Sequence, residues 1–213
     1  MESEELVSPA YALESALLES DRIRAREILR VSCRPDDPYG CISGLIEPAL
    51  RSIGERWSEG DAALSQVYVS GKICEEYIRG LPATPAGIRP DQPVIGIAVL
   101  EDFHTLGKET VKTALHASGY RVKDYGAGLT VTVLLDLIKQ DEIEVLFLST
   151  LMLRAALAVR QLMDAIREEG LSIRVIVGGA PYLFDEDLWK EVGADAFAHN
   201  ASEAVSMVSE DDE

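Results

Sequence analysis

After residue 93 this chain alternates between short apolar runs and stretches of helical period, and no other feature limits its fold so strongly. Val94-Ile95-Gly96-Ile97-Ala98-Val99-Leu100 has no polar face to give to water. It reads as a strand buried on both sides. Further strands are predicted over residues 121–125, 144–149, 173–177 and 194–198. Helices are predicted over 107–118, 132–139, 155–169 and 186–192. Apolar strands joined through helices require a parallel sheet covered on both faces.

The opening stretch of the chain has another character. Ser8-Pro9, Ser20-Asp21 and Asp37-Pro38 are helix starts: a capping side chain, twice with proline in the first turn. Ile42, Leu45, Ile46, Ala49, Leu50, Ile53 and Trp57 share one helical face, with Pro48 expected to kink it. Gly60 should end that helix and Asp61 should cap the next, which runs through Leu64, Val67, Tyr68, Gly71 and Ile78. Trp57 and Tyr68 lie on apolar faces, so core packing is their expected place. Leu81-Pro82-Ala83-Thr84-Pro85-Ala86-Gly87-Ile88-Arg89-Pro90, followed by Pro93, cannot continue a helix and reads as a linker. The fold class is therefore an all-α four-helix unit over residues 1–89, then an α/β flavodoxin-like (Rossmann-type) five-stranded parallel-sheet domain over 90–213. The expected strand order is 2-1-3-4-5. The acidic end, Ser209-Glu210-Asp211-Asp212-Glu213, reads as a solvated tail.

Charge narrows the partners. With 37 Asp and Glu against 20 Lys and Arg, the net charge of -17 repels phosphate backbones and anionic lipid. Nucleic acid and membrane surfaces are not expected partners. No apolar run is long enough to span a bilayer, and Met1-Glu2-Ser3-Glu4-Glu5 is acidic where a secretory signal would be basic. Cys33, Cys41 and Cys74 are an odd set without metal-ligand spacing. Free thiols in a cytoplasmic protein are the expectation.

In sheets of this type ligands bind beyond the carboxyl ends of the strands, where the order reverses. Three features fall on that edge: Glu101-Asp102-Phe103-His104-Thr105-Leu106-Gly107 after the first strand, Ser149-Thr150-Leu151 after the third, and Gly178-Gly179 after the fourth. No Gly-x-Gly-x-x-Gly or Gly-Lys-Ser/Thr loop is present, so a dinucleotide or nucleoside triphosphate is not expected. Nor do one His and a few carboxylates make a side-chain metal cage.

Asp102-x-His104-x-x-Gly107, then 41 residues to Ser149-x-Leu151, then 26 residues to Gly178-Gly179, resembles the signature of domains that bind cobalamin base-off and His-on. The run from Pro48 to Gly60, Pro-Ala-Leu-Arg-Ser-Ile-Gly-Glu-Arg-Trp-Ser-Glu-Gly, resembles the helical cap before that domain in methionine synthase and in the corrinoid proteins of one-carbon methyltransferase systems. Together the two resemblances cover nearly the whole chain.

The resemblance implies cobalamin as cofactor, as methylcobalamin, with His104 as the lower ligand of cobalt. Asp102 would hold the other imidazole nitrogen. Gly107, Ser149, Leu151, Gly178 and Gly179 would be cofactor-binding, with Ser149 on the buried base of the nucleotide tail, Gly178 and Gly179 leaving that base room, and Gly107 opening the first helix where the corrin approaches the backbone. Methionine synthase extends the His–Asp relay with a second Ser, at a position filled here by Ala155. The implied function is carriage of a methyl group on cobalt from a substrate methyltransferase to a second methyltransferase with a folate or thiol acceptor. A reductive activation protein is a further implied partner. Alone the chain would be one component of such a system, not a complete enzyme. Three rival readings share the fold: an adenosylcobalamin-dependent sensor, the small subunit of a mutase, and a cobalamin store or shuttle. The sensor reading suffers because Val67 and Tyr68 stand where light-responsive regulators have Glu-His.

Overall fold

The computed structural model describes residues 8–34, 36–81 and 92–209. The chain forms two compact units, Met1–Thr84 and Pro85–Glu213. Most of the proline-rich linker, the boundary between residues 89 and 90, the acidic start and residues 210–213 of the tail lie outside the described residues.

The first unit is built of four helical runs. α1 (Pro9–Leu18) begins at Ser8, whose hydroxyl accepts the Tyr11 N–H. α2 (Arg22–Ser32) begins at Asp21, and α3 (Pro38–Cys41) at Asp37, each carboxylate accepting an N–H three residues on. α3 continues through a π-helical segment, Ile42–Ile46, into α4 (Glu47–Glu59). The sequence predicts a kink at Pro48. The irregularity takes the form of this wider turn just before it, where Glu47 N–H bonds to Ile42 five residues back. Proline has no N–H for the carbonyl four residues earlier, so regular α-bonding is interrupted there. Gly60 ends α4 in the left-handed conformation, φ 88°. α5 (Leu64–Arg79) is not capped by Asp61. It starts two residues later at Ala63, whose N–H is accepted by the Gln66 side chain at 2.8 Å.

Two further expectations are corrected in this unit. Cys33 and Cys41 form a disulfide that ties the end of α2 to α3, and Cys74 alone is free and buried. Facing sulfurs eight residues apart on separate helices are not visible as a pair in the sequence, and the cysteines no longer argue for a reducing compartment. Trp57 and Tyr68 are not core residues; they are 48% and 55% exposed. The core is supplied by Leu13, Leu17, Leu29, Ile42, Ile46, Ile53 and Ile73.

The second unit is a five-stranded parallel sheet of order β2-β1-β3-β4-β5. Its strands are β1 (Ile95–Leu100), β2 (Val122–Leu129), β3 (Val145–Ser149), β4 (Arg174–Gly178) and β5 (Ala196–Phe197). Every residue of β1 is buried, as its unbroken apolar sequence requires. Ile95, Ile97, Val145, Phe147 and Ile176 pack under α6 (Leu106–Ala117) and α11 (Ala201–Ser209). Ala98, Leu146, Leu148, Val175 and Val177 pack under α7 (Val131–Gln140) and α8 (Leu153–Glu168).

Several boundaries depart from the sequence reading. β2 continues four residues beyond 125, through Gly126 and Gly128 at φ 83° and 74°. Such glycines look like breakers, yet here they let the edge strand shift register against β1 and go on. The helix expected over 186–192 is the shorter α10 (Leu188–Glu191), and a further short helix, α9 (Ala180–Phe184), precedes it across extended Asp185. β5 is shorter than 194–198. α11 reaches Ser209, the first residue of the expected tail.

A closed ring of charge joins α6 to β2. Lys108 Nζ, almost wholly buried, lies 2.5 Å from Asp124 and 3.0 Å from Glu109; Lys112 Nζ lies 2.5 Å from Glu109 and 2.6 Å from Asp124. Burial works against the Asp124 charge, but bonds from Lys108, Lys112 and the Gly126 N–H prevail and bring its pKa to about 2. A carboxylate depressed in the folded state stabilises the fold above the ordinary aspartate value and loses that contribution as pH falls toward the folded value. Lys108→Met would leave two carboxylates with one ammonium, and should destabilise the second unit by roughly 3 kcal/mol at neutral pH. Urea titrations should also show a shallower loss of stability between about pH 4 and pH 2 than in the parent.

Candidate functional site

At the carboxyl edge of the sheet one carboxylate organises two loops. β1 ends at Leu100, and Glu101 turns the chain at φ 47°, a left-handed conformation unusual for a residue with a side chain. Asp102 follows and is buried. Its Oδ1 accepts the Phe103 N–H at 2.6 Å, the His104 N–H at 3.2 Å and His104 Nδ1 at 2.5 Å. Its Oδ2 accepts the N–H groups of Leu151 and Met152, in the loop after β3, at 3.1 and 3.2 Å. Burial raises the cost of its charge; the bonds from His104, Leu151, Phe103 and Met152 outweigh that and hold the carboxyl below the usual range.

Asp102 does not cap the following helix. Thr105 precedes α6, with no side-chain cap bond. The carboxylate instead fixes the imidazole. An ionised acid only accepts, so Nδ1 is the ring nitrogen that donates to it. The His104 side chain is 36% exposed at the edge. β2 holds this loop from its other side: Glu101 N–H bonds to the Leu129 carbonyl, and Gly128 N–H to the Asp102 carbonyl at 2.7 Å. A Cβ on Gly128 would meet the Phe103 ring at 2.3 Å, so the glycine lets that ring lie against the backbone.

The remaining motif residues lie beside this loop. Ser149 is paired in register with Gly178 across β3 and β4. Gly107, in the first turn of α6, comes so near Ser149 that a Cβ would stand 2.7 Å from its Oγ. A Cβ on Gly178 would stand 3.3 Å from the Ala198 carbonyl oxygen, tight but adjustable. Gly179 is constrained by the backbone itself: φ is 118°, and a Cβ would fall 1.8 Å from the Thr150 carbonyl oxygen. Leu151 contributes its N–H to Asp102 and leaves its side chain half exposed.

Sequence reasoning missed the main-chain half of this arrangement. The backbone N–H groups of Leu151 and Met152 donate to Asp102 Oδ2, and Ala155 is fully buried in α8. Residue types carry no sign of backbone donors, so nothing in the sequence pointed there. It also missed Arg154, which reaches the Glu101 carbonyl at 3.3 Å and its carboxylate at 3.5 Å. Exposed Phe103, Met152, Leu153 and Phe184 add apolar surface around the same edge. Among the described residues no three His, Cys, Asp or Glu side chains converge as a metal cage.

Comparison with known proteins agrees on both units. The family model described as "B12 binding domain" matches residues 93–208, and a second of the same description matches residues 10–80. Monomethylamine corrinoid protein 1 of Methanosarcina acetivorans is 32% identical over 180 residues, 80% of this chain and 81% of that protein. Dimethylamine corrinoid protein 3 of the same organism is 29% identical over 178 residues, 81% of this chain and 82% of that one. The solved monomethylamine corrinoid protein of Methanosarcina barkeri superposes with a TM-score of 0.76 at 24% identity, covering 93% of this chain and 95% of the other, which establishes the shared fold.

Asp102→Asn tests the organising bond set. An amide offers one accepting oxygen and turns its NH2 toward either the 103–104 or the 151–152 donors. The second unit should lose roughly 2–3 kcal/mol, measured by urea denaturation at neutral pH.

Proposed function

The chain belongs to the B12-binding family, and from that membership we propose that it carries a methyl group on cobalamin within a methyltransferase system. One observation carries the reading: a buried carboxylate holds His104 by Nδ1, at a partly exposed position on the ligand-binding edge. That is how a metal-ligating imidazole is oriented and made more basic. Bound there, cobalt would take a methyl group when reduced and yield it to an acceptor; that chemistry is the cofactor's.

The residues present fit the group. A lone imidazole suits a metal that brings its equatorial donors with it. His104 would ligate through Nε2, and Asp102 would retain the Nδ1 proton. With both Asp102 oxygens already bonded to N–H groups, the carboxylate stays ionised and the histidine keeps its orientation. Ser149 would offer its hydroxyl to the base of the nucleotide tail. Gly107, whose missing Cβ admits the Ser149 hydroxyl, and Gly178, paired with Ser149 in register, would border the slot for that base. Gly179 would keep the turn after β4 low, and Leu151 would set the height of the Asp102 carboxylate through its main chain. The corresponding domain division is a helical cap over residues 1–89 and a cobalamin domain over 90–213.

The names of the relatives, monomethylamine and dimethylamine corrinoid proteins, support a methylated amine as the methyl donor. In the reading proposed, a substrate methyltransferase would deliver the group and a second methyltransferase would pass it to a folate or thiol. No helix of the described residues is long and apolar enough to cross a membrane.

Purified protein loaded with cobalamin should bind it base-off, with imidazole nitrogen coupling in the Co(II) electron paramagnetic resonance spectrum. His104→Ala should abolish that coupling while retaining some of the affinity through the tail slot. Unchanged coupling in the variant would remove His104 as ligand. For the donor, reduced loaded protein and a monomethylamine-specific methyltransferase should show the spectral change of methylation with monomethylamine and none with methanol.

A further inference from the structure

A disulfide closes the corner between α2 and α3 in the first unit, apart from the cofactor motif, whose residues all lie in the second. Cys33 follows α2 in an extended conformation, φ -96° and ψ 137°. Cys41 ends α3, eight positions on, and the two Cα atoms are 5.0 Å apart. That span is ordinary for a bridged pair. The two sulfurs differ in access. Cys33 is partly exposed and stands between exposed Ser32 and Arg34. Cys41 is 6% exposed and precedes fully buried Ile42.

The bond restrains a segment that has little else to hold it. α3 has four residues, too few to be stable as an isolated helix. At its start the Asp37 carboxylate accepts the Gly40 N–H at 2.8 Å, and the Asp37 carbonyl accepts the Cys41 N–H at 3.3 Å. At its end comes the π-helical segment, where the regular α-helical ladder is interrupted. Neither side supplies a long run of regular bonds, so the bridge to α2 is a main restraint on this corner.

We propose that Cys33–Cys41 is a thiol–disulfide exchange site, at which a dithiol reductant releases α3 and a disulfide oxidant pins it again. The first thiolate of the reductant attacks Cys33 Sγ, the accessible sulfur. The S–S bond breaks, its electron pair stays on Cys41 Sγ, and that thiolate takes up a proton. The second thiolate of the reductant then attacks its own sulfur in the mixed disulfide. Cys33 leaves as a thiolate and is protonated, and the reductant departs as a disulfide. Two electrons and two protons have passed to the protein. Cys74 takes no part: it is buried in α5, and burial pushes its thiol up to about 12. Nothing in this exchange requires a bound cofactor.

The test uses the full chain, treated with oxidised glutathione or with dithiothreitol. The oxidised protein should carry one thiol, titratable only after denaturation. The reduced protein should carry three, with iodoacetamide modifying Cys33 first, Cys41 more slowly and Cys74 only after denaturation. Hydrogen exchange at the Gly40, Cys41 and Ile42 amides should run about tenfold to hundredfold faster in the reduced form, and return to the slower rate on re-oxidation. The double variant Cys33→Ser, Cys41→Ser should exchange at the faster rate under both treatments. Three thiols after oxidation, or equal exchange at these amides in the two states, would overturn the proposal. Modification of Cys41 ahead of Cys33 would overturn the order of attack.

Discussion

A buried negative charge must be matched by donors, and at the edge of this sheet Asp102 finds five of them. Three come from its own loop and two from the loop after β3. A free ion at that depth would be costly enough to be neutralised by protonation. Shared among two loops, it becomes the point that fixes both. The position of His104, the path of residues 151–152 and the closeness of Gly107 to Ser149 all follow from satisfying this one group. Behind it, the ionic ring of Lys108, Glu109, Lys112 and Asp124 acts in the same way, seating α6 against β2.

Much of this was legible in the sequence, for a definite reason. Interior strands of a parallel sheet are buried on both faces, so β1 and β3 announce themselves as unbroken apolar runs, and the sheet order follows. The three motif segments sit where strand ends meet helix starts, so their place on the binding edge could be inferred without coordinates. What stayed hidden was of two kinds. Main-chain donors at Leu151 and Met152, which hold the second oxygen of Asp102, have no residue-type signature. Gly126 and Gly128 mislead because the same residue that ends a regular strand also permits an irregular one to continue. The Cys33–Cys41 bond depends on two helices meeting, which spacing alone does not reveal, and the exposure of Trp57 and Tyr68 on amphipathic helices is likewise set by packing rather than period.

The glycines of the motif illustrate how one residue type answers to different constraints. Gly107 yields to a neighbouring hydroxyl, and Gly178 leaves space in front of a carbonyl. Gly179 has no alternative, since its dihedral angle and the carbonyl of Thr150 both exclude a side chain. A substitution at 178 tests what fills the space; one at 179 tests whether the chain can make the turn.

The sheet's two margins carry one more consequence. β2 is kinked by two left-handed glycines and exposes Lys123, and β5 is only two residues long. Neither offers a long flat row of open main-chain groups on which a foreign strand could be added. The molecule is thereby guarded against sheet-to-sheet aggregation even with apolar residues gathered on its carboxyl edge. Anything that docks there must do so through side chains and loops, a weaker and more reversible grip than strand exchange.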